Sequence, residues 1–158
     1  MPVKHLLLLR HGEAHHSSPD ELRELSEAGR KEVSNTLNKA LNRIPPRIQS
    51  IGAIYHSGFT RAVQTADIAA SVIADNSAIV ITPKMLEGIT PWGQPSQFSM
   101  LLEKKSAETV LIVTHNPFVE DLVSYLSGQD IRITTGTLVY LQVDFLAQGC
   151  CKLVLTER

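Results

Sequence analysis

Three short segments carry side chains suited to handling a phosphoryl group: Arg10-His11-Gly12, Arg61 and His115. Arginine presents a rigid fork of donors that matches phosphate oxygens. A neutral imidazole offers a lone pair that can attack phosphorus. Neighbouring guanidinium groups disfavour a second positive charge, so His11 is expected to be neutral at neutral pH. Gly12 reads as room for a ligand to approach the backbone. An Arg-His-Gly triplet alone is weak. It gains weight when Arg61 and His115 fall at comparable places in the chain.

Those places are the ends of strands. Leu6 to Leu9 form an unbroken apolar run, as does Val110 to Val113. Both read as strands buried on two faces. Ile51 to Tyr55 reads as another strand, and Arg61 lies in the first turn of the helix that follows it. Ser26 is expected to cap a helix with Val33, Leu37, Ala40, Leu41 and Ile44 on one face. Pro45-Pro46 should stop it. Ala62, Ala66, Ala69, Ala70 and Ile73 mark one face of a second helix. Ala78 to Ile81 is expected to be a short strand, and residues 87–96 to be irregular. A short helix is expected from Ser96 to Lys104. Asn116 and Pro117 look like the cap and first residue of a helix that Gly128 ends. Leu138 to Phe145 alternates, with Val139, Leu141, Val143 and Phe145 on one face. The Ala147-Gln148-Gly149 turn should fold Cys150 to Leu155 back as a hairpin.

The resulting order, β-α-β-α-β-α-β-α-β-β, implies an α/β fold. We expect a three-layer α/β/α sandwich with a mostly parallel sheet and a C-terminal antiparallel hairpin. In a parallel sheet the three strand-to-helix junctions share one rim. Arg10, His11, Arg61 and His115 would converge there with helix N-termini, as a site for a dianionic phosphoryl group.

The bulk composition excludes several other classes. With 158 residues, the chain is expected to form a single domain over 1–158. Fifteen basic and sixteen acidic side chains give a net charge of −1, which argues against a general nucleic-acid binder. No apolar run approaches a membrane span, and the four leucines are too short for a secretory segment. Cys150 and Cys151 are the two cysteines. Neighbours in a strand point to opposite faces, so a disulfide between them is not expected, and a reduced, cytoplasmic setting is.

The motifs resemble those of the histidine phosphatase superfamily, with its phosphoglycerate mutase-like fold. Leu9-Arg10-His11-Gly12-Glu13 is similar to the signature. Ser57 to Ala66 is similar to the second arginine motif, and Val113 to Pro117 to the second histidine motif. Arg23 to Gly29 and Ile89 to Gly93 resemble segments of the SixA-type phosphohistidine phosphatase branch. The short length, without insertions for a lid, is also similar to that branch.

The resemblance implies a metal-independent phosphatase without a cofactor. His11 would be the nucleophile and become transiently phosphorylated. Arg10 and Arg61 would hold the equatorial oxygens, and His115 would donate to the phosphoryl group. The implied partner is a phosphohistidine-bearing protein such as a phosphotransfer domain; the alternative substrate class is small phosphate esters or phosphoramidates. The general acid is Glu13, Glu87 or none. Imidazole leaves more readily than an alkoxide, so a phosphohistidine phosphatase can do without a strong acid.

Other residues have simpler readings. The alternate spacing of His11, Glu13 and His15 is a poor match to a zinc site, which needs three or four well-placed ligands. His15 and His16 belong in a solvated loop; His5 and His56 are structural or exposed. Trp92 is either core or pocket mouth. Thr134 to Thr137 either contacts phosphate or forms a turn.

Overall fold

The computed structural model describes residues 2–46 and 48–158. Six strands form one sheet: β1 (His5–Arg10), β2 (Ala53–His56), β3 (Lys84–Met85), β4 (Thr109–Thr114), β5 (Leu138–Val143) and β6 (Cys151–Glu157). Four α-helices accompany them: α1 (Glu27–Arg43), α2 (Thr60–Ser77), α3 (Pro95–Leu102) and α4 (Phe118–Ser127). A 3-10 turn, Asp20–Leu22, lies between β1 and α1. The spatial strand order is β3-β2-β4-β1-β5-β6. The β1–β4, β2–β4 and β2–β3 pairs are parallel, whereas β5 pairs antiparallel with both β1 and β6. This is the mostly parallel sheet with a C-terminal hairpin that the sequence pattern implies.

Alternation along β1 divides the core into two layers. Leu7 and Leu9 pack with Val33, Leu37 and Ala40 of α1 and Ala62, Ala66 and Ala69 of α2. Leu6 and Leu8 face the other way, onto Phe98 of α3 and Phe118, Leu122 and Val123 of α4. All four leucines are buried. Each contributes roughly 1.5–3 kcal/mol of transfer free energy, which fixes the strand whose end carries Arg10.

Local chemistry sets the helix ends. Ser26 Oγ accepts the Gly29 N–H at 3.0 Å, capping α1. The chain turns extended at Ile44, before Pro45. Gly128, with φ of 73°, closes α4 in the left-handed region.

Several boundaries depart from the sequence pattern. No strand forms at Ala78 to Ile81. Ala78 instead ends α2 in the left-handed region, and the edge strand begins three residues past Ile81, at Lys84–Met85. Ile79 and Ile81 pack their side chains against the α1–α2 layer. β2 begins at Ala53 rather than Ile51. Asn116 does not cap α4. Pro117 stands at that position, and the Asn116 amide is committed to Glu120 and Ile133. β5 ends at Val143, so Phe145 leaves the Val139 face and is 73% exposed. Among the described residues no helix is long and apolar enough to cross a membrane.

Candidate active site

Strand register assembles the site. In the parallel β1–β4 pair, Arg10 lies opposite Thr114. The next residues, His11 and His115, are therefore neighbours, and their ring centroids are 4.9 Å apart. β2 flanks β4 on the other side with His56 opposite Val113. That register delivers Ser57 to His115, with Ser57 Oγ 2.6 Å from His115 Nε2. Arg61, in the first turn of α2, turns back so that its Nε–H donates to His11 Nε2 at 3.2 Å.

Two contacts fix the His11 ring. The Gly12 carbonyl lies 2.7 Å from Nδ1. A carbonyl only accepts, so Nδ1 carries the proton. Nε2 then holds the lone pair, as its contact with the Arg61 N–H also requires. The His11 pKa is lowered to about 4, so the ring is neutral at pH 7. Burial is the main cause; the Gly12 carbonyl opposes it, and the charges of Arg61, Arg10 and Arg23 add to it. Burial, and not the arginines alone, therefore keeps His11 uncharged.

Gly12 serves packing rather than ligand approach. A Cβ there would stand 2.6 Å from the Gly29 carbonyl oxygen and 2.8 Å from Val33 Cγ2. The Gly12 N–H donates to Thr65 Oγ1, whose hydroxyl donates to the Arg61 carbonyl, tying the β1 end to α2. Gly12→Ala is expected to destabilise the protein by about 1–3 kcal/mol, because backbone cannot yield as a side chain does. Urea unfolding checks this; an unchanged midpoint would refute it.

His115 is 1% exposed, and its pKa falls to about 2 through burial, then through His11, Arg61 and Arg10. Ser57 Oγ accepts the Phe59 N–H at 3.3 Å, leaving its own hydrogen for Nε2. That assignment puts the proton of the neutral ring on Nδ1, which has no partner among the described residues. Arg10 Nε is likewise buried and unpartnered, while Arg10 Nη1 donates to the Ile133 carbonyl at 2.8 Å. Two buried donors without acceptors, on the side chains that flank His11 in sequence and in ring contact, suit an oxyanion.

Arg61 is 4% exposed. Its Nη1 donates to the Asp20 carbonyl at 2.7 Å and its Nη2 pairs with Asp20 Oδ2 at 3.2 Å. Asp20 Oδ1 also pairs with Arg23. Burial, the largest single influence, pushes the Asp20 pKa up, but Arg23 and Arg61 together outweigh it and hold the carboxyl below its usual range. Phe59 lies against both Arg61 and His115 and meets Trp92 at 6.3 Å. Trp92 is 69% exposed, which places it at the mouth and not in the core.

The family model of the histidine phosphatase superfamily (branch 1) matches residues 6–90, more than half of the chain. The chain belongs to the histidine phosphatase superfamily. Its fold is that of solved members. It superposes on the protein histidine phosphatase SixA complexed with tungstate with a TM-score of 0.78, at 23% identity over 97% of this chain and 96% of that one. A candidate phosphohistidine phosphatase SixA from Agrobacterium tumefaciens gives 0.76, at 22% identity over 98% and 97%. A phosphoserine phosphatase from Entamoeba histolytica, in complex with 3-phosphoglyceric acid, gives 0.68, at 14% identity over 98% and 96%. No curated protein sequence matches the chain significantly.

In this superfamily member neither carboxylate candidate is hydrogen-bonded to Arg10, His11, Arg61 or His115 among the described residues. Glu13 Oε1 accepts from Ser26 Oγ at 2.8 Å. Glu87 is exposed, after the edge strand. His15 and His16 are exposed; His56 is buried and accepts the Gly58 N–H. Thr134 to Thr137 is a turn whose backbone braces Arg10 and His11 through Gly136 N–H and the Thr137 carbonyl. Asp20 was missed as a site residue from sequence, and Ser57 was met only as part of the second arginine motif, without a role. Asp20's one local signal is an oppositely charged residue, Arg23, three positions on.

Proposed function

We propose that the protein is a phosphohistidine phosphatase, a single domain over residues 1–158 that hydrolyses the phosphoryl group of a protein histidine through phospho-His11. The observation that carries this reading is the His11 Nε2 lone pair, set by the Gly12 carbonyl and ringed by Arg10, Arg61 and His115.

Nε2 attacks phosphorus, the P–N bond to the substrate imidazole breaks, and its electron pair stays on that imidazole. Arg10, Arg61 and the His115 Nδ1–H neutralise charge on the transferred oxygens. Water then attacks phospho-His11; the new P–O bond forms, the P–N bond breaks with its electron pair returning to Nε2, and both water hydrogens leave with the product as dihydrogen phosphate. The arginines supply the positive charge, so the proposed reaction calls for no metal. Glu13 is engaged by Ser26 and neither it nor Glu87 is hydrogen-bonded to the four residues among those described, which favours imidazole as leaving group, because an alkoxide needs a proton more urgently. A phosphotransfer domain in the cytoplasm is the substrate class that fits.

The second reading is a phosphatase of small esters or phosphoramidates on the same four residues. It is favoured by the fold's likeness to the phosphoserine phosphatase. Competition separates the two. A histidine-phosphorylated phosphotransfer domain and a panel of phosphate monoesters are supplied together, and kcat/KM is measured for each. Preference for the protein is expected. Higher kcat/KM on any monoester, or equal rates on the phosphoprotein for wild type and His11→Ala, sinks the first reading.

A further inference from the structure

We propose that Glu120 is a positioning residue, which acts on the reaction by holding the Arg10 guanidinium through the Ile133 peptide. It lies in the first turn of α4 and makes none of the contacts around His11. Its Oε2 accepts the Ile133 N–H at 2.8 Å and the Asn116 Nδ2–H at 2.9 Å. Asn116 Nδ2 also donates to the Ile133 carbonyl at 3.0 Å, the same oxygen that accepts Arg10 Nη1 at 2.8 Å. One carboxylate oxygen thus grips both ends of the Ile133 residue, its N–H directly and its carbonyl through Asn116.

This clamp matters because of where Ile133 lies. It sits between α4 and β5, outside any helix or strand, and is 1% exposed. Neither a ladder nor a helical turn holds its backbone. Its side chain packs into the core layer beside α4, while its N–H and carbonyl are oriented by Glu120 and Asn116, and the pose of Arg10 follows from that carbonyl. Arg10 can orient its free Nε only if Nη1 is anchored, since a guanidinium is a rigid plane. The charge of Glu120 also opposes the effect of burial on Arg10.

A purely structural role is the competing explanation: an acidic residue in the first helical turn stabilises α4 through the helix dipole. That role would lower the melting temperature of Glu120→Ala without a specific effect on Arg10. The positioning role makes a different demand. Gln in place of Glu keeps an oxygen that accepts both N–H groups, although it removes the charge.

The proposal rests on the reading of the four residues as a phosphoryl site, and the test keeps the two apart. Arginine Nε–H resonances are recorded by NMR, with the Arg10 signal assigned by its loss in Arg10→Ala. Tungstate affinity is measured by calorimetry on the same samples. Glu120→Ala is expected to shift or broaden the Arg10 signal while leaving that of Arg23 in place. It is also expected to weaken tungstate binding on the order of tenfold, as misplacement of a positioned group does. Glu120→Gln should recover most of both effects. Asn116→Ala, which leaves the first turn of α4 its acidic residue, should move the Arg10 signal in the same direction and serves if Glu120→Ala does not fold. An unmoved Arg10 signal in the folded variants overturns the proposal. So does an equal loss of affinity in Glu120→Gln. If wild type binds no tungstate, the phosphoryl-site reading falls instead, and the Arg10 signal still decides the role of Glu120.

Discussion

Replacing His11 by alanine is expected to lower turnover about ten-thousandfold or more, the scale of losing a nucleophile that acts as a unit with its neighbours. His115 cannot substitute for it. Its Nε2 faces Ser57 and its free nitrogen carries the proton, so it presents no lone pair to phosphorus. The substitution should spare the anion cradle, because Arg10, Arg61 and His115 keep their own anchors at Ile133, Asp20 and Ser57. Tungstate affinity is therefore expected to change much less than turnover. Rapid quench with a labelled phosphoramidate should trap phosphate on His11 in the wild type and nowhere in the variant. Label on another residue, or substantial turnover without His11, would contradict the proposed chemistry.

A second large effect is expected in acid. His11 and His115 have folded pKa values lowered to about 4 and about 2, against 6.5 for an ordinary imidazole. Between pH 6.5 and 4 the unfolded chain therefore binds more protons at both positions. Stability attributable to these rings is fully present above pH 6.5 and is lost as pH falls. The slope for each ring reaches about 1.4 kcal/mol per pH unit, or about 2 kcal/mol between pH 6.5 and 5. Because the rings are neighbours, twice that figure is an upper bound for the pair. Although burial works against it, Arg23 and Arg61 hold the Asp20 carboxyl below its ordinary range, so it titrates below this window. Melting temperatures should fall between pH 7 and 5 in the wild type and fall less in a His11→Asn, His115→Gln double variant. Parallel profiles for the two proteins would refute the assignment. Activity should follow a different limb: kcat/KM is expected to hold down to about pH 4.5 in any sample that stays folded, because His11 keeps its lone pair until its own pKa near 4.

Much of this was legible in the chain because its causes are local. The Leu6–Leu9 run, the Ser26 cap and Gly128 each act through residues a turn or less away, and β1, α1 and the end of α4 fall where those signals put them. Ala78 to Ile81 misled for the same reason. Its β-branched content fits a strand, but a strand also needs a partner, and on that edge β2 pairs only through Tyr55 and His56, with Lys84 and Met85. Asn116 misled because its cap signal competes with a carboxylate and a carbonyl brought from elsewhere by the fold. Gly12 was noticed but misread; its reason is the Gly29 carbonyl, seventeen residues along the chain and in contact only once α1 packs.

The sequence by itself determined the residue types at the strand ends and the alternation that makes the sheet mostly parallel. It thereby determined that Arg10, His11, Arg61 and His115 would share a rim. It also carried the motifs by which the chain joins its superfamily. Only the tertiary structure decided the strand order, with β4 between β1 and β2, which makes His11 and His115 direct neighbours. It alone decided the ring tautomers, the Asp20 contact with Arg61 and the Glu120 grip on Ile133. The physical reason is range. Strand and cap preferences are written in neighbouring residues, whereas hydrogen-bond partners and burial depend on groups tens of residues apart that meet only in the packed chain.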